Sequence, residues 1–108
     1  MSNFKESILE IAGDEPIIAI VIEGKEWYYI DKPRPDTRLV SGKVITWAEA
    51  APLLDYEYSQ DYGGVDCNAI TAWTATRVIF VGCYDGATWV TSVPRNPRNH
   101  IPGTVGGG

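Results

Sequence analysis

Three strand-like runs near the end of the chain, Asn68 to Trp73, Arg77 to Tyr84 and Ala87 to Val93, constrain this protein more than any other feature. The last two flank Asp85-Gly86, a dipeptide that readily takes the positive φ angles of a type I′ turn and so joins adjacent antiparallel strands. The first two flank Thr74-Ala75-Thr76, so the three runs form a meander. Counting outward from Asp85-Gly86 sets Trp89 opposite Gly82, where an indole covers backbone that glycine leaves bare. Counting outward from Thr74 to Thr76 sets Cys67 opposite Cys83. Both sides of the meander are apolar, with Ile70, Ala72, Val78, Phe80 and Trp89 on one and Trp73, Ile79, Val81 and Val90 on the other.

The rest of the chain supplies little to cover such a sheet. Ser2 can cap a helix whose Phe4, Ile8, Leu9, Ile11 and Ala12 recur at helical spacing, and Gly13 is suited to end it. Ile17 to Ile22 is too short for a helix and rich in β-branched residues. With Trp27-Tyr28-Tyr29-Ile30 it reads as a hairpin turning at Gly24-Lys25, Ile22 facing Trp27 and Ile20 facing Tyr29. Asp31 to Arg38, with two prolines, reads as an exposed loop. Thr46-Trp47-Ala48-Glu49 has the capping-box pattern and opens a short helix through Leu54, kinked or renewed at Pro52. Asp55 to Asp66 mixes acids, tyrosines and Gly63-Gly64 and reads as a loop or irregular edge strand. The expected fold is therefore α+β, in the order α-β-β-α-β-β-β: one antiparallel sheet of five strands, or six if Thr37 to Val44 adds an edge, with two short helices on one face. It occupies one domain over residues 1–104, followed by a glycine-rich tail at 105–108. The uncovered face predicts a partner, most simply a second copy of the chain.

Charge narrows the partners. The 108 residues carry 14 acids against 9 Lys and Arg, net −5, which argues against general affinity for nucleic acid. The longest apolar run, Ile17 to Ile22, is far short of the ~20 residues that span a bilayer, and no basic-then-apolar leader opens the chain, so no membrane and a cytoplasmic location are expected. The balance is uneven: the first 66 residues sum to −7 and the remaining 42, with three Arg and one Asp, to +2.

Candidate sites follow from that distribution. Cys67 and Cys83 lack a CxxC pattern and have only His100 as a further soft ligand, so two reduced, buried thiols are expected rather than a metal site or a disulfide. No cofactor is expected. Asp55, Glu57, Asp61 and Asp66 lack the ligand alternation of a calcium loop. With Tyr56, Tyr58 and Tyr62 they form instead an acidic, tyrosine-rich stretch suited to a basic protein surface. Arg95 and Arg98, stiffened by Pro94 and Pro97 just past a strand carrying Trp89, have the chemistry to grip phosphate bidentately while Trp89 or Tyr84 stacks on a base. Arg34 and Arg38, in the other proline-stiffened loop, are able to join that site from a neighbouring subunit. A lone His100 without an orienting partner does not argue for catalysis.

The segments Asp55-Tyr56-Glu57-Tyr58, Tyr62-Gly63-Gly64, Val78-Ile79-Phe80, Tyr84-Asp85-Gly86-Ala87-Thr88-Trp89 and Val93-Pro94-Arg95-Asn96-Pro97 resemble a pattern of small bacteriophage and prophage proteins. More loosely, a sheet with short helices and C-terminal arginines is similar to phage proteins that sequester nucleotide immune signals, of the Thoeris anti-defence type. The resemblance implies a non-enzymatic, homo-oligomeric protein that captures a small cyclic nucleotide in a host bacterial cytoplasm and so blocks defence. The alternative expectation is an inhibitor that binds a host defence enzyme through Tyr56, Tyr58, Asp61 and Tyr62.

Overall fold

The computed structural model describes residues 2–27, 34–60 and 65–104. Strand β1 (Ser2–Asn3) leads directly into helix α1 (Phe4–Ala12), and the cap is Asn3 rather than Ser2, its side chain accepting from the Glu6 N–H. Ser2 is instead engaged in pairing with Tyr58 of β4 (Glu57–Tyr58), which forms a separate two-stranded sheet with β1. At the other end Gly13 takes φ +63 and returns its N–H to the Leu9 carbonyl, the stop expected of it.

The main sheet has the order β3-β2-β5-β6-β7 and is antiparallel throughout, with β2 at Ala19–Ile22, β3 at Val44–Ile45, β5 at Ile70–Trp73, β6 at Arg77–Tyr84 and β7 at Ala87–Pro94. The meander is as expected, including Trp89 opposite Gly82. Two pairings differ. Ile20 is flanked by Ile45 on one side and Ala72 on the other, so both neighbours of β2 are taken and the Trp27 to Ile30 run is not its hairpin partner. Tyr28, Tyr29 and Ile30 themselves lie outside the described residues. Nor is Gly24 a hairpin turn. It lies where two loops touch, its N–H donating to Ser41 Oγ at 2.9 Å, and a Cβ there would meet the Thr37 carbonyl oxygen at 2.5 Å.

The second difference is a one-residue register. The β5 to β6 connection turns over Ala75 and Thr76 alone, because Thr74 still pairs with Arg77, its N–H bonding the Arg77 carbonyl at 3.0 Å. Ala72 therefore faces Ile79, and continuing that register brings Tyr84 rather than Cys83 opposite Cys67. A one-residue slip moves every side chain of a strand to the other face. Ile70 and Ala72 thus join Ile20, Ile22, Ile79 and Val90 on the core side, all of them buried, while Trp73 joins Val78 and Phe80 on the other.

Both helices lie on the core side. Phe4, Ile8 and Ala12 of α1 and Ala50 of α2 (Trp47–Ala50) are buried in one cluster with the sheet. The capping box is present, Thr46 Oγ1 accepting from the Glu49 N–H at 3.1 Å and the Glu49 carboxylate from the Thr46 N–H at 3.3 Å. Pro52 is the second residue of a separate 3-10 turn, Ala51–Leu53, where its missing N–H costs no helical bond. Thr37 to Val44 does not form one long edge strand: Arg38–Val40 is a 3-10 turn and only Val44–Ile45 pairs. No helix among the described residues is long and apolar enough to cross a membrane.

Candidate functional site

The face away from the helices is the exceptional surface. Its rows run across the strands as Ala19, Trp73, Val78 and Val93, then Val44, Val21, Thr71, Phe80 and Thr91, then Gly82 and Trp89, then Tyr84 and Ala87. No residue in these rows is charged. The solvent side of an antiparallel sheet ordinarily alternates into polar residues. Here Val44 is 70% exposed, Tyr84 50% and Val93 44%, and Gly82 alone of these rows is buried, opposite the Trp89 indole.

At the Val93 end of this face the chain turns into Arg95 to His100, and Val93, Pro94, Arg95, Pro97, Arg98 and His100 line an open hollow of about 420 Å³. Arg95 is fixed: its N–H bonds the Thr76 carbonyl, and its Nη1 donates to the Thr74 carbonyl at 2.9 Å. Arg98 is exposed and, among the described residues, has no ion pair. One anchored and one unengaged guanidinium, with no acid in the sequence after Asp85, make this the electropositive end of the molecule.

The other expected residues are elsewhere. Trp89 and Tyr84 share the open face with this end, but six strand positions separate Trp89 from Arg95, about 20 Å at the rise of a β-strand. A single copy does not bring them together. Arg34 is withdrawn into the interior, its side chain only 5% exposed. Its guanidinium lies 4.0 Å from the Tyr56 ring centre and 4.7 Å from that of Trp27, and it donates to the Glu57 carbonyl at 2.6 Å and to the Asp66 carbonyl. It is a structural plug, unavailable to a soluble ligand. Arg38 is held by two carboxylates, Asp36 at 2.6 Å and Glu26 at 2.5 Å, so phosphate would have to displace both.

The tyrosines of the acidic stretch are also interior. Tyr58 is fully buried against Phe4, ring centres 5.2 Å apart, with its hydroxyl 3.0 Å from Ser7 Oγ. Tyr56 donates its buried hydroxyl to Asn68 Oδ1 at 2.7 Å and accepts the Asn68 N–H at 2.9 Å. An interface using Tyr56 and Tyr58 would have to unpack the core, which removes them as contact residues. Asp61 and Tyr62 lie outside the described residues. The residues that sequence reasoning missed are Trp73 and Phe80 on the open face, and the signal was the β5 to β6 turn length that sets Trp73 there.

Cys67 and Cys83 are both free thiols, but only the first is buried as expected; the second, near the end of β6, is half-buried. Among the described residues no group of three His, Cys, Asp or Glu side chains is placed to hold a metal ion.

The ionisable groups instead predict a stability plateau. The hydroxyls of Thr74 and Thr76 hold the Glu15 carboxyl below its ordinary 4.5, Arg38 hydrogen bonds pull Asp36 down to about 2, and Asn3 followed by Lys5 lowers Asp55. Acids lowered in the folded state stabilise it above their unfolded values, and that contribution goes as pH falls. Burial pushes the Cys67 thiol from 9.0 up to about 12 and the Tyr56 phenol upward as well. Those groups favour the folded state while protonated, an advantage lost as pH rises beyond 9, where the unfolded chain ionises first. Urea midpoints are expected to be flat between about pH 5 and pH 9 and to drop on either side. A midpoint still rising at pH 10 would contradict this.

Comparison with protein-family models, with curated proteins and with solved structures finds no match to this chain.

Proposed function

We propose that the protein is a non-enzymatic binding protein that captures a small phosphate-bearing nucleotide, with Arg95 and Arg98 on the phosphate and an aromatic side chain of the open sheet face on the base. The observation that supports this most is the meeting of an uncharged aromatic face with a hollow lined by two arginines on an otherwise acidic protein. Such a pairing suits a ligand that is flat and apolar at one end and anionic at the other. In this reading an acidic surface elsewhere repels nucleic acid and leaves small nucleotides as the accessible phosphate class. The biological role proposed with it is sequestration of a nucleotide immune signal in a bacterial host by a phage-encoded protein.

Mixing the purified protein with a panel of cyclic mononucleotides, cyclic dinucleotides and cyclic ADP-ribose isomers, and following thermal unfolding, tests it. A tight ligand at 1,000 times its dissociation constant stabilises by about 4 kcal/mol, which raises the midpoint well beyond error. The Arg98→Ala variant, whose side chain supports nothing in the fold, is expected to lose most of that shift while melting normally without ligand. Absence of any shift across the panel would overturn the reading.

A further inference from the structure

We propose that two copies pack face to face through the open side of the sheet, about a twofold axis that runs across the strands, so that Tyr84 of each copy stands beside Arg95 and Arg98 of the other. What the two resulting sites bind rests on the nucleotide reading above; the pairing of the copies does not.

The choice of occupant follows from the chemistry of the face. Trp73, Val78, Phe80, Trp89 and Thr91 make up most of it, without a charge in their rows. Neither an acidic nor a basic partner finds an ion to pair with there, whereas a second copy brings no like charges together. Glu23, just past the end of β2, is paired with Lys25 at 3.7 Å and falls at the rim. Addition of a strand at the β7 edge is obstructed, because the Gln60 carbonyl sits on the Thr88 N–H at 3.0 Å and Pro94 has no N–H to offer. Five strands about 4.8 Å apart, with rows about 6.6 Å apart along them, give a footprint on the order of 500 Å² per copy, or roughly 1,000 Å² for a pair, where specific interfaces begin.

Packed sheets keep their strands aligned to within about 30°, which leaves two twofold axes in the plane between the copies. An axis along the strands would stack like ends on like, gathering Arg95 and Arg98 of both copies at one end. An axis across the strands stacks opposite ends. Asp85, the only acid after Asp66 in the sequence, then meets the basic end of the other copy; it is exposed and, among the described residues, has no ion pair. Centred between the Thr91 and Trp89 rows, this axis sets Val93 over Ala87, Trp89 over Thr91 and Phe80 over Gly82, each time the larger residue over the smaller.

The site follows from the same register. Tyr84, 50% exposed at the end of β6, comes over Val78 of the other copy, one row from its Arg95. The arginines, which lie about 20 Å along the strand from the aromatic end of their own copy, gain an aromatic ring from the second one. Trp89 is taken into the contact, so Tyr84 is the side chain left to stack on a base.

Light scattering on the full chain is expected to give a dimer. Thr91→Glu, which places a charge at the centre of the contact from a half-exposed strand position, should keep the far-ultraviolet circular dichroism of the wild type and become a monomer, while Thr91→Val stays a dimer. A wild-type monomer at high micromolar concentration would overturn the proposal, as would a dimer that Thr91→Glu leaves intact. Composite sites make a further demand. Arg98→Ala and Tyr84→Ala should each lose the nucleotide-induced thermal shift, yet an equimolar mixture allowed to exchange subunits should bind again, at about a quarter of the wild-type stoichiometry, since half the dimers are mixed and each holds one intact site. No recovery on mixing two dimeric variants that fail singly would overturn the shared site. A dimer sensitive to Thr91→Glu that shows no nucleotide-induced shift would remove the ligand reading alone, and nucleotide binding by a wild-type monomer would remove the pairing alone.

Discussion

Replacing Arg34 by alanine is expected to cost about 3–5 kcal/mol of folding stability, the range for breaking a buried charge cluster by removing one partner. The guanidinium packs on both the Trp27 and Tyr56 rings where they meet edge to face, donates to the carbonyls of Glu57 and Asp66, and stands 3.8 Å from the Asp66 carboxylate. Alanine would leave two carbonyls without that donor and a void against the two rings. Lysine keeps the charge but lacks the planar fork that stacks and donates in two directions, so Arg34→Lys should recover less than half of the loss. Urea denaturation of the three proteins checks this. If Arg34→Ala instead unfolded like the wild type and lost nucleotide-induced stabilisation, Arg34 would be a ligand residue and the assignment above would fail.

Phe4→Ala should be as damaging, about 3–5 kcal/mol, because a fully buried aromatic is lost where its surroundings cannot close the gap. Phe4 contacts the Tyr56 and Tyr58 rings with centres 5.6 and 5.2 Å away, and its N–H bonds the Tyr56 carbonyl at 2.8 Å. The two-stranded β1 and β4 sheet is fastened to the helix at this point. A loss of several kcal/mol lowers the thermal midpoint by roughly 15 °C or more in a domain of this size. Phe4→Leu, which keeps most of the volume, should cost well under half as much. A midpoint within a few degrees of wild type for Phe4→Ala would mean that this corner is looser than its burial indicates.

Much of the architecture was legible because it is local. Asp85-Gly86 fixes a turn and hence the whole β6 to β7 register; Gly13 ends α1; Thr46 and Glu49 start α2. Each is a short-range interaction whose partners lie within a few residues, so the chain itself names them. Long-range pairing was less accessible. The run Ile17 to Ile22 has the composition of a central strand, yet which strands flank it depends on Ile45 and Ala72, 25 and 52 residues away. Likewise the β5 to β6 turn could hold two or three residues until Thr74 is seen paired with Arg77, and that single residue decides whether Trp73 or Ala72 faces the core.

The same division applies to the site. Basic charge gathered at Arg95 and Arg98 is a property of the sequence, as is an aromatic excess of Trp 4, Tyr 6 and Phe 2. Which arginines and aromatics are available is not. Arg34, Arg38, Arg95 and Arg98 have the same side-chain chemistry, but one is buried against two rings, one is bound by two carboxylates, one is anchored at a turn and one stands in solvent. Tyr56 and Tyr58 sit in an acidic stretch that suggests exposure, and α1 closes over them because Phe4 requires apolar partners. Local turn and cap chemistry is determined by the sequence because it needs only neighbours in the chain. Burial, register and the meeting of distant charges are decided by tertiary structure because they depend on which surfaces must leave water together.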